Sequence, residues 1–137
     1  MQKSKLLFLE EKEFITTVYF LDNKKEVYSL KSEINRLANK HLFSINDYRK
    51  FVKKQTTLKN KIPIYFSESL LLFYIKDNDC SYWINYFNIL KICYDNNIVI
   101  IFKNGDILKL EISKKMILKE LTKIEIVLDY IQNLYQW

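Results

Sequence analysis

Arg49, Lys50, Lys53, Lys54, Lys59 and Lys61 lie within thirteen consecutive residues that contain no acid. The whole chain carries a net charge of +6. This one stretch therefore holds the entire surplus, and the remaining basic residues equal the 16 acids. An acid-free cluster of ammonium and guanidinium groups suits a polyanion, because counterion release drives phosphate binding and one face can track a backbone. Lysines on a helix are also often a solvated face, so the cluster's meaning depends on where the chain puts it. Tyr48, Phe51, Tyr65 and Phe66 flank the cluster. They are either a stacking platform for unpaired bases or, as their helical and strand spacing favours, core residues.

Other chemistry has little material. Gly105 is the only glycine in the chain, so there is no Gly-rich phosphate loop. His41, the only imidazole, sits near the end of an expected helix, where capping or a surface role is expected rather than general-base work. Cys80, Cys93 and His41 lack metal-site spacing. Two cysteines make no disulfide framework, and Cys93 is expected as a buried thiol within an apolar strand. Asp77-x-Asp79 starts like a calcium loop, but Tyr82 stands where such a loop needs glycine. The sequence predicts no enzyme, no cofactor and no metal.

The elements that must position the cluster emerge from periodicity. With 137 residues, about half of them hydrophobic, the chain suits one domain over 1–137 with a real core. No apolar run approaches a membrane span, and the N-terminus lacks a signal-peptide core. A cytoplasmic, reduced, membrane-free protein is expected. Phe14–Leu21 and Val27–Leu30 predict an N-terminal β hairpin across a turn at 22–25. Ser32 is expected to cap a short helix reaching Leu42. Ser44 is expected to cap the basic helix, whose inner positions are Ile45, Tyr48, Phe51 and Val52. From Ile64 the pattern turns β, with Leu70–Ile75 a buried strand and Asp77–Asp79 a turn. Trp83 anchors the start of a strand leading into 87–94, and an antiparallel meander occupies about 86–112. Asn104-Gly105 predicts a type I′ turn within it. Ser113 then caps a long amphipathic helix with a stripe of Ile117, Leu121, Ile124, Leu128, Ile131 and Tyr135. The fold class is α+β.

A longer series now stands out. It runs Tyr48-Arg49-Lys50, Lys61-Ile62-Pro63-Ile64, an apolar strand ending at Phe73, and Trp83-Ile84. Ile89, Val99-Ile100-Ile101-Phe102-x-Asn104-Gly105, Leu108-x-Leu110-x-Ile112-Ser113 and Ile117–Leu121 complete it. In order and spacing this resembles the ComK competence transcription factors, over roughly residues 44–131. Ser44–Asp47 lacks the glycines usual in that family, Tyr74 stands after Phe73 where a proline is common, and no basic tail extends past the long helix. The resemblance is therefore to a short or divergent member.

The resemblance implies a transcriptional regulator of DNA-uptake genes. It further implies a homo-dimer or higher oligomer reading AT-rich double-stranded DNA from the minor groove, and an adaptor that delivers it to a Clp protease. Arg49 would enter the groove, since arginine suits the narrow minor groove of A-tracts. Lys50, Lys53, Lys54, Lys59 and Lys61 would contact phosphates. The Leu118/Leu128 flank of the long helix is the candidate dimer surface. A meander joined to a long helix also resembles PH-like protein-interaction domains, which gives an alternative without DNA binding. Single-strand binding by the same patch is a third reading.

Overall fold

The computed structural model describes residues 3–27 and 29–134. Among them are nine strands in two antiparallel sheets, three α-helices and a 3-10 turn. The larger sheet has six strands: β1 (Leu6–Lys12), β2 (Ile15–Phe20), β3 (Lys24–Val27), β4 (Ile64–Ser67), β5 (Leu70–Asp77) and β6 (Cys80–Asn85). Their spatial order is β3-β2-β1-β6-β5-β4. The smaller sheet is the expected meander, β7 (Ile89–Tyr94), β8 (Ile98–Phe102) and β9 (Ile107–Leu110). The helices are α1 (Leu30–Lys40), α2 (Ile45–Gln55) and α3 (Lys114–Leu134).

Both faces of the large sheet are covered. Leu6, Leu9, Leu70, Leu72 and Trp83 cluster with Ile34, Leu37 and Ala38 of α1 and Ile45 of α2. Leu7, Phe8, Leu71, Phe73 and Ile84 cluster instead with Ile98, Ile100 and Phe102 of β8 and with Ile117, Ile124 and Val127 of α3. Phe8 stacks on Phe102 at 5.4 Å, joining the two sheets. A strand buried on both faces reads as a continuous apolar run rather than an alternation. That is why Leu6–Leu9, all four buried, carries no strand period in the sequence.

Asn85 ties the layers together from a fully buried position. Its Nδ2 donates to the carbonyls of Leu6 and Ser69, and its Oδ1 accepts from the amides of Leu71 and Phe87. Every polar group of the side chain that needs a partner has one, as a buried amide requires.

Four local expectations are corrected. The hairpin partner of β2 begins at Lys24, not Val27, because Phe20 N–H closes a tight turn onto the Asn23 carbonyl at 2.7 Å. The first helix is capped by Ser29 rather than Ser32, with the Ser29 hydroxyl accepting from the Ser32 amide, and Leu42 lies beyond its end. Trp83 sits within β6 of the large sheet rather than at the start of the meander; a 3-10 turn at Tyr86–Asn88 separates the two sheets. The Asn104-Gly105 turn is not type I′. Only Gly105 has positive φ, at +91°, and its amide donates to the Phe102 carbonyl. This is a type I turn that ends in a glycine bulge. Asn104 does not share the positive φ; its amide nitrogen donates to the Leu21 carbonyl and its oxygen accepts from the Asp106 amide.

Ser44 and Ser113 do cap α2 and α3, accepting from the amides of Asp47 and Met116. Tyr135, the last member of the α3 stripe, lies outside the described residues.

Candidate nucleic-acid interface

The basic helix forms where expected because Ser44 satisfies an orphan amide and Ile45, Tyr48 and Val52 return every turn to one side. Ile45 and Val52 are buried, one in each core cluster. Lys50, Lys53 and Lys54 are exposed on the opposite arc, with Arg49 half-buried at its margin. At 3.6 residues per turn these four charges share one side of α2. Lys53 and Lys54 also stand in the last turn, where cations favour the helix dipole.

Tyr48 fixes this helix to strand β4. Its hydroxyl donates to the Pro63 carbonyl at 2.7 Å and accepts from the Tyr65 amide at 3.2 Å. Burial pushes its phenol well above the ordinary tyrosine range, so it remains a neutral donor. Phe66 is buried against Phe43 and His41. Tyr65 meets Phe87 edge-on. Of the proposed stacking quartet only Phe51 is well exposed, at 61%. The stacking platform is therefore not assembled; its aromatics are mostly structural.

Loop 56–63 carries the other two lysines. Leu58 and Ile62 are buried, which leaves Lys59 and Lys61 exposed between two anchors. Lys61 has φ +47°, a left-handed backbone unusual outside glycine. Its ammonium lies 4.6 Å from the ring centroid of Tyr74, within cation–π range. The preceding carbonyl, of Asn60, accepts from Lys123 Nζ on α3 at 3.1 Å. Four of the six expected residues thus share α2, Lys59 stands on the loop, and Lys61 turns toward a separate groove. That groove, about 430 Å³, is lined also by Lys76, Lys115, Lys119, Glu120 and Lys123.

Sequence reading missed these additional lysines. Lys115, Lys119 and Lys123 recur every four residues along α3, a signal that was present but hidden by the mixed charge of that helix. Lys76 has no such signal, because strand pairing alone brings it there.

His41 closes α1, and burial, with neighbouring Lys40 as the lesser cause, lowers its pKa. Cys93 is half-buried rather than buried, because alternate β7 residues face away from the core. Leu118 is exposed, whereas Leu128 packs against the core, so the suggested dimer flank is only half available. No helix among the described residues is long and apolar enough to cross a membrane.

The scaffold and its charges define an α+β protein with a cationic helix face and a lysine-lined groove on covered antiparallel sheets. The ComK protein family matches residues 7–133, and the chain belongs to that family of competence-related transcription factors. The match runs from β1 into α3, further toward the N-terminus than residues 44–131. No curated protein and no solved structure matches the chain.

Proposed function

We propose that this protein is a DNA-binding regulator of competence genes that grips AT-rich duplex DNA through the outer face of α2. Family membership supports the regulatory role. The observation carrying the site is the set Arg49, Lys50, Lys53 and Lys54 on one side of a helix whose other side is locked into the core, with Asp47 of the first turn as the one acid on α2. The lysines neutralise phosphates and position the protein without reading sequence. Arg49, at the margin of the face, enters a narrow minor groove, where A-tract width and stiffness supply specificity. Two protomers related by a two-fold axis set two such faces on successive half-sites.

A gel-shift series with AT-rich and GC-rich duplexes of equal length tests this reading. AT-rich DNA binds tighter, and affinity falls steeply with salt. Arg49→Glu combined with Lys53→Glu lowers affinity by roughly 100-fold or more while far-UV circular dichroism stays unchanged. Equal binding to both duplexes with no salt dependence would reject it. Capture of a protein partner with no DNA retention would favour the PH-like interaction module instead.

A further inference from the structure

We infer that the groove between β5, loop 56–63 and α3 is a second contact for the DNA backbone, resting on the reading above. It is built from residues far apart in sequence: Lys61 on the loop, Lys76 on β5, and Lys115 and Lys119 on α3. All four are exposed, and among the described residues none is held in an ion pair. The fifth lysine, Lys123, is different. Its Nζ lies 3.2 Å from Glu120 Oε1, and both side chains are largely buried. Glu120 thus neutralises Lys123 and leaves the charge of the other four uncompensated.

The pair also has a mechanical consequence. Lys123, held by Glu120, donates to the Asn60 carbonyl and pins the loop beside α3. The next residue, Lys61, takes its left-handed backbone and lays its ammonium over Tyr74. A non-glycine residue persists in that conformation only where its surroundings over-determine it, and such outliers concentrate at functional sites. Lys115 and Lys119 are one helical turn apart, a rise of about 6 Å. That step is comparable to the spacing of successive phosphates along one strand. A strand of duplex DNA fits this row of unpaired cations. Loop 56–63 runs from the end of α2 to the groove, and in the arrangement proposed both contact one duplex.

The test measures duplex affinity against salt for the full chain and two variants. Lys76→Gln/Lys115→Gln/Lys119→Gln changes only exposed side chains. It should keep the wild-type melting temperature, weaken binding about tenfold or more at 0.1 M salt, and flatten the log–log salt slope by about 2 to 3, one phosphate contact per lysine. Glu120→Gln separates positioning from simple charge. Removing an acid from a basic groove would by charge alone tighten binding; loss of the loop clamp instead weakens it severalfold and speeds amide exchange at 58–62. Wild-type affinity and slope in the triple variant, with binding still lost in Arg49→Glu/Lys53→Glu, would overturn this inference alone. Absence of any duplex binding by the wild-type chain would overturn the DNA reading itself.

Discussion

Tyr48 shows how one side chain can hold the proposed binding face without joining it. Its hydroxyl bridges the Pro63 carbonyl and the Tyr65 amide, joining α2 to β4 across the lysine loop. Tyr48→Phe leaves both backbone groups without that partner and costs about 2 kcal/mol at pH 7. The pH dependence comes from its raised pKa, caused first by burial. In the unfolded chain a tyrosine titrates near pH 10. The native state binds the proton more tightly, so this stabilisation is complete below about pH 10 and is lost as pH rises above it. Phenylalanine cannot titrate. The deficit of Tyr48→Phe relative to wild type therefore narrows between pH 7 and pH 11 in denaturant unfolding; a constant deficit would contradict the assignment. Tyr82, also raised chiefly by burial, adds to alkaline lability in both proteins alike.

At the scale of elements, the turns divide into those that composition announces and those that it hides. Gly105 occupies a left-handed position with open space where a Cβ would stand. Gly105→Ala therefore costs only the backbone penalty, about 1 kcal/mol. The β1–β2 connection is the reverse case. Glu13 and Phe14 have φ of 50° and 67° in a two-residue hairpin, since Lys12 pairs directly with Ile15. This is the type I′ geometry expected of Asn-Gly, yet it is filled by two residues that resist it, and Phe14 is 95% exposed. Replacing Glu13-Phe14 by Asn-Gly should stabilise the fold by about 1–2 kcal/mol, read as a higher melting temperature. No gain would show that Phe14 makes a compensating contact.

The same contrast explains what the sequence could disclose. The caps Ser44 and Ser113, the three meander strands and the α3 stripe were legible because local chemistry and periodicity agree with the fold there. Strand β1 was not, since burial on two faces erases its alternation. The charged arc of α2 was legible as a run, whereas the groove around Tyr74 assembles from separated segments and has no linear signature.

For the whole molecule, the governing fact is that two cores share one sheet. Along β5, Leu70 and Leu72 face α1 and α2, while Leu71, Phe73 and Ile75 face the meander and α3. Neither layer can come away without exposing the other side of the same strands. The α2 face therefore depends on the full stability of the domain rather than on a peripheral subunit of it. Leu72 is fully buried on the α1/α2 side, and Leu72→Ala should cost about 2–5 kcal/mol. Trp83 lies in the same cluster, so in a Trp137→Phe background, where it is the only indole, its fluorescence reports that layer. Circular dichroism reports all strands and helices. In that background, with and without Leu72→Ala, the two signals should trace one unfolding curve, displaced to lower denaturant by the mutation with an unchanged slope. An earlier fluorescence transition in Leu72→Ala would show that the α1/α2 layer opens by itself. The proposed binding face could then melt while the meander and α3 remain folded.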